Sequence, residues 1–241
     1  MSNDLTFITN EENKTLYDRF NTLINNSAFF DCLVGYFYTS GFHKVYKALE
    51  NTEKIRILIG ISTNPQTYKL IDESQQQKTL TSDYEIKDKF SQVVVEEFDE
   101  SPDNFNVETG THKFIEWIKS GKLEVRAYPS EKIHAKVYIM SFKEGSADDG
   151  RVISGSSNFT EAGLQNNLEF NVELKDSRDY NYALEMFNRL WEDSVDVSEK
   201  YVETINTKTW LNDEIKPYEL YLKLLYEYFK ERILTRIQKR I

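Results

Sequence analysis

Two short segments carry residues whose types can handle a phosphate. His134-Ala135-Lys136 sets an imidazole and an ammonium two positions apart, and Gly155-Ser156-Ser157-Asn158 follows about twenty residues later. Both lie beside runs that read as buried strands. Residues two apart on a strand point to one face, so His134 and Lys136 share a face that an apolar core has little reason to accept. The same strand, through Met140, adds Tyr138 and Met140 to that face and sets Val137 and Ile139 opposite. The glycine turn lets a ligand approach the backbone closely. Asn158 and the hydroxyls of Ser156 and Ser157 are neutral donors suited to phosphate oxygens. Downstream, Asn167-Leu168-Glu169-Phe170-Asn171 leads another strand, with Asn167 and Glu169 on one face.

An imidazole, a fixed cation, amide and hydroxyl donors and a carboxylate fit phosphoryl transfer without a metal. Lys136 and Asn158 would stabilise charge on the equatorial oxygens while His134 attacks phosphorus. A bond from Glu169 to the imidazole would fix its tautomer. Each residue taken singly has an ordinary reading: a strand-edge histidine, a snorkelling lysine, turn-forming serines and a strand carboxylate. The joint spacing is what points to a phosphate site, with Ser156 and Ser157 beside Lys136 and Asn158 as its contacts.

These residues need a scaffold, and the hydrophobic pattern supplies one. Leu16, Phe20, Leu23 and Ile24 predict a helix over 11–25, Phe29 to Phe37 a buried strand, and Ser40 caps a helix to Glu50. Ile55 to Ile61 is a second strand, so strand, helix and strand form a crossover unit with a parallel pair. Asn64 to Glu100 reads as polar and helical, with Gln75-Gln76-Gln77 a solvated loop. A break at Ser101-Pro102-Asp103-Asn104 precedes a helix over 107–119 ending at Gly121. Four strands follow in quick succession, at 123–128, 135–142, 151–154 and 168–174. The polar stretch from Lys143 to Gly150 is a hairpin-type link between two of them. Beyond Asp179, Tyr182, Met186, Phe187, Leu190 and Trp191 suit a helix packed on the sheet. Leu220, Leu224, Leu225, Phe229, Ile233 and Ile237 form a last helix.

Composition narrows the function classes. The chain has 241 residues, 39% of them hydrophobic, enough for one substantial core. Cys32 is the single cysteine, which excludes an intrachain disulfide and a cysteine-rich zinc site and reads as a small buried hydrophobe. His43, His112 and His134 form no metal cluster, and the first two are expected on helix surfaces. No metal or cofactor is called for. The net charge of −10 argues against a protein that coats nucleic acid with its whole surface, but leaves room for a local basic cleft. The last twelve residues alone carry +4, a solvated helix end. No apolar run approaches the roughly 20 residues that cross a bilayer. Residues 1–5 lack a basic-then-apolar leader profile, so a cytoplasmic location and no membrane partner are expected. Tyr36, Phe37 and Tyr38 read as core packing, with base stacking as the alternative.

The two segments together resemble the phospholipase D superfamily, whose pattern is His-x-Lys, four residues, Asp, then Gly-Ser/Gly-x-Asn. Here His134-Ala135-Lys136 and Gly155-Ser156-Ser157-Asn158 match, Glu169 fits the downstream acidic position, and Ser141 occupies the aspartate position. The resemblance covers Phe29 to Trp191. It implies an α/β fold, read here as a mixed, largely parallel sheet with helices on both faces. A nuclease-like domain over 1–195 is expected, with a helical extension or linker over 196–241. It further implies His134, Lys136, Asn158 and Glu169 as the catalytic set, acting on nucleic acid, with DNA expected, through a phosphohistidine. One motif copy implies a homodimer with a shared site, and sets lipid substrates behind nucleic acid. The likeness is greatest to nuclease-type domains of restriction endonucleases and of the N-terminus of bacterial superfamily 2 helicases. The stretch from Lys216 to Phe229 looks like the linker before a helicase motor C-terminal to this chain. The alternative is a non-catalytic nucleic-acid-binding or dimerisation module on the same fold.

Overall fold

Alternation of apolar side chains builds the sheet before any helix is needed. The computed structural model describes residues 6–11, 15–35, 37, 39–61, 80–100, 105–129, 133–209 and 211, with 221, 222, 224–226, 228 and 229. Its strands are β1 (Phe7–Ile8), β2 (Ser27–Val34), β3 (Lys54–Ile61), β4 (Leu123–Pro129), β5 (Lys136–Phe142), β6 (Gly150–Gly155), β7 (Asn171–Leu174) and β8 (Val195–Asp196). They form one sheet in the order β1-β7-β6-β5-β2-β3-β4-β8. The helices are α1 (Leu16–Ile24), α2 (Thr39–Leu49), α3 (Leu80–Glu100), α4 (Phe105–Lys119), α5 (Ser177–Glu192) and α6 (Ser198–Lys208). The predicted loop at Gln75–Gln77, the break at 101–104, Tyr36, Tyr38, and most of the last helix with its basic end lie outside the described residues.

A mixed sheet with helices on both faces is what forms, but its pairings are mostly antiparallel. Only β2–β3 and β3–β4 run parallel, each joined through helices. Strand β5 pairs antiparallel with both β2 and β6, and β6 with β7. The expectation of a largely parallel sheet fails for a geometric reason. The link from Lys143 to Asp149 is too short for a crossover, which takes about a dozen residues, so the chain must turn back.

The two faces of the sheet bury separate cores. On one, Phe30, Cys32, Val34, Ile55, Ile57, Tyr138, Met140 and Ile153 meet apolar residues of α1, α2, α3, α4 and α6. On the other, Leu33, Leu58, Ile139 and Val152 meet Tyr180, Phe187 and Trp191 of α5. Helix α1 starts where the Thr15 hydroxyl oxygen accepts the Asp18 N–H at 3.1 Å, and it buries Leu16, Phe20, Leu23 and Ile24. Helix α5 is capped by Asp176 in the same manner. Helix α6 lies past the boundary expected at residue 195, yet its Tyr201 and Ile205 sit in the main core. Burial of Cys32 pushes its thiol pKa well up, as befits a small hydrophobe.

One charged pair interrupts the α5 face. Asp31, 1% exposed, receives Arg56 Nε at 2.6 Å and Nη2 at 2.7 Å, while Nη1 donates to Asn188 at 2.9 Å. The guanidinium also lies over the rings of Phe187 and Trp191 at 4.9 and 5.4 Å. Burial raises the Asp31 pKa, and the Arg56 hydrogen bonds and charge oppose that rise. A buried charge survives only with such partners.

His112 lies exposed on α4, as expected, 3.8 Å from Glu108. His43 does not stay on the helix surface. Its ring packs on the backbone of α4 so closely that a Cβ at Gly110 would fall 2.2 Å from it, and Nε2 lies 3.4 Å from the Thr111 hydroxyl. Desolvation lowers its pKa to about 4, against a smaller upward pull from Glu161. The neutral ring therefore supports the fold above pH 6.5, and that support is lost as pH falls from 6.5 towards 4. The pKa difference corresponds to about 3 kcal/mol. Urea unfolding at several pH values should show this decline in the wild type and a flatter profile in His43→Gln.

Candidate active site

Strand β5 begins at Lys136, and residues 133–135 lead into it without regular secondary structure. His134 is exposed and Lys136 half-buried, on the face that continues inward as Tyr138 and Met140. The Lys136 ammonium donates to the His134 carbonyl at 3.1 Å. Gly35, just past β2, permits this entry: a Cβ there would sit 3.1 Å from the Ile133 oxygen and 3.8 Å from the His134 Cα. The His134 ring has no hydrogen-bond partner among the described residues.

The glycine turn closes β6 at the same end of the sheet. Val137 faces Ser154 across the β5–β6 ladder, so one rung further Lys136 comes level with Gly155. The Ser156 hydroxyl donates to the Glu169 carboxylate and accepts the Phe170 N–H at 2.9 Å. Glu169 thus holds a serine, where the sequence suggested it would hold the imidazole. Its charge is close enough to Tyr138 to add to the burial that raises that phenol's pKa.

Ser157 departs further from expectation. It is 0% exposed, and its hydroxyl donates to the Gly163 carbonyl at 2.8 Å while accepting from Asn171 Nδ2 at 2.8 Å. That oxygen is spent inside the fold and does not face a phosphate. Asn158 is half-buried, and its Oδ1 is buried without any hydrogen-bond partner. An orphaned buried amide oxygen costs about 1–3 kcal/mol; being an acceptor it cannot bond a phosphate oxygen, so any phosphate contact of Asn158 falls to its Nδ2. The following residue, Phe159, anchors the turn by stacking on Phe37 at 5.4 Å and an interplanar angle of 11°.

Ser141 sits elsewhere. It is five residues along β5 from Lys136, about 17 Å at strand rise, and on the opposite face, where it receives the Tyr180 hydroxyl at 2.7 Å. A cleft of about 800 Å³ opens at that end, lined by Asp31, Arg56, Ser141 and Asn188 among others, and by none of the six expected site residues. Sequence reasoning missed Tyr138 and Asn171 as parts of the turn's support. A signal was available for Tyr138, a polar side chain inside an apolar strand.

Imidazole, ammonium, amide, hydroxyl and carboxylate therefore lie at one end of neighbouring strands, His134 and Ser156 exposed and Lys136, Asn158 and Glu169 half-buried. Among the described residues no three His, Cys, Asp or Glu side chains gather to hold a metal ion. No described helix is long and apolar enough to cross a membrane.

A family model described as "Cardiolipin synthase, PLD-like domain" matches residues 22–191. The chain belongs to the PLD-like domain family. Its match runs from the last turn of α1 into the last turn of α5 and takes in every expected site residue. Among solved structures, the chain is similar to TrmBL2, an archaeal chromatin protein whose structure shows a mode of DNA binding. The identity is 17%, with a TM-score of 0.40 and coverage of 79% of this chain and 53% of that one. It is also similar to NucT from Helicobacter pylori, at 14% identity, TM-score 0.40, and 75% and 90% coverage. A third is phosphatidylserine synthase from Haemophilus influenzae Rd KW20, at 17% identity, TM-score 0.47, and 95% and 46% coverage. This chain thus spans about half the length of the first and third. No curated protein matches it.

In this PLD-like domain the far-end position makes Ser141 a packing residue. Replacing it by alanine leaves the Tyr180 hydroxyl without its partner and is expected to cost about 1 kcal/mol. The denaturation midpoint should fall accordingly.

Proposed function

We propose that this domain is a metal-independent phosphodiesterase acting on nucleic acid, with DNA as its substrate. The observation that supports this most directly is the exposed His134 ring, without a hydrogen-bond partner among the described residues, beside Lys136 and level with the glycine turn that carries Asn158. A free imidazole suits a nucleophile. Lys136 and Asn158 would hold the phosphate oxygens, and Ser156, oriented by Glu169, would add a further contact.

In the first step His134 forms a nitrogen–phosphorus bond as the phosphorus–oxygen bond to the leaving alcohol breaks. That alcohol needs a proton. With one motif copy and no second free imidazole among the described residues near this mouth, the acid is His134 of the partner subunit in a homodimer. The same group then takes a proton from water, which attacks the phosphohistidine and restores the first imidazole. The helicase- or restriction-linked setting suggested by the family resemblance is part of this proposal. A Gly-x-x-x-x-Gly-Lys-Ser/Thr motif downstream in the same reading frame would support it.

Labelled single- and double-stranded DNA should be cleaved in EDTA by the wild type and not by His134→Ala. A wild type that binds DNA but cleaves neither form would overturn catalysis in favour of a binding module. Sedimentation should show a dimer at micromolar concentration, and a strict monomer would leave half a site.

A further inference from the structure

We propose that Tyr138 and Asn171 are positioning residues which act through Ser157 to hold Lys136, Asn158 and Glu169 in one arrangement. The proposal rests on the phosphodiesterase reading for its consequence, although the lock itself stands on geometry. Ser157 is the middle of the turn, between Ser156 and Asn158, and every polar group it has is committed. Its carbonyl accepts the Tyr138 hydroxyl at 2.7 Å. Its N–H donates to Asn171 Oδ1 at 3.3 Å, and its hydroxyl joins Asn171 Nδ2 to the Gly163 carbonyl, both at 2.8 Å. Ser157, Asn171 and Tyr138 are all fully buried.

Turns ordinarily leave their polar groups to water. Burying one this completely is tolerable only because all its bonds are made. Three elements therefore meet at one residue: β5, β7 and the π-helical turn Ala162–Asn166. Two of them bring a site residue along. Tyr138 follows Lys136 by two positions on the same strand face, and Asn171 follows Glu169 by two. The reactive groups at the mouth are thus repeated two residues deeper by a set of groups that only fasten. The Tyr138 ring already packs among Phe20 at 4.9 Å and Phe159 at 6.1 Å, so a phenylalanine would fill the same core. The hydroxyl's role is the bond to the turn.

Phosphoryl transfer is sensitive to placement, and a shift near 1 Å can cost on the order of 100-fold in rate. The full chain should be tested as Tyr138→Phe, as Ser157→Ala should the former not fold, and as Ser141→Ala for a stability control at the far end of β5. Backbone amide exchange at 157 and 158 should accelerate at least about tenfold in Tyr138→Phe and stay at the wild-type rate in Ser141→Ala. With bis(p-nitrophenyl) phosphate, at temperatures where each variant is folded, kcat should fall about tenfold or more in Tyr138→Phe with KM within about twofold. A folded Tyr138→Phe, or the Ser157→Ala replacement, with wild-type exchange at the turn overturns the lock. Altered exchange with unchanged kcat overturns its positioning role. A wild type that does not cleave the probe overturns the phosphodiesterase reading alone, because the exchange comparison still decides the lock.

Discussion

Strand β5 is held along both edges, by β2 on one side and β6 on the other, and the site depends on that double register. A slip of one residue would turn Lys136 and Tyr138 to the α5 face and send Ile139 into the main core. The slip is opposed at every rung: Tyr138, Ile139 and Met140 are each completely buried on their own side. Apolar burial on two faces thus fixes where a lysine and a histidine emerge from the sheet, although neither takes part in that burial.

The same strand separates two kinds of polar work. At its start, polar groups are exposed or left unsatisfied, as with the His134 ring and Asn158 Oδ1. Near its end they are buried and fully paired, as with Ser141 and Tyr180, and with Asp31 and Arg56 across the neighbouring strands. Unsatisfied buried groups weaken a fold; of the two such atoms among the described residues, Asn158 Oδ1 lies in the turn at the His134 end and the Tyr201 hydroxyl lies in α6. The Ser157 hub sits between these regimes and joins them.

Much of this was legible in the chain. Helices α1, α2, α4 and α5 and strands β2 to β7 follow from apolar spacing and turn residues. The joint His-x-Lys and Gly-Ser-Ser-Asn pattern located the mouth of the site. The short strands β1 and β8 escaped because two residues carry no period. Helix α6 was expected only as part of a helical extension or linker, because its polar sequence hides the two apolar side chains, Tyr201 and Ile205, that join it to the main core. The fate of His43 was equally hidden, since only the approach of α4 at Gly110 removes it from water.

Residue order by itself determined which side chains share a face, because a strand alternates with period two whatever surrounds it. It therefore joined His134 to Lys136 and set Ser141 apart from them. Tertiary structure decided the partners. Glu169 went to Ser156 and not to the imidazole, Ser157 turned inward to Asn171 and Tyr138, and the sheet closed mostly antiparallel. The first two depend on contacts between residues separated by thirteen or more positions. Local spacing constrains direction, whereas hydrogen bonds are chosen by which groups are brought out of water together.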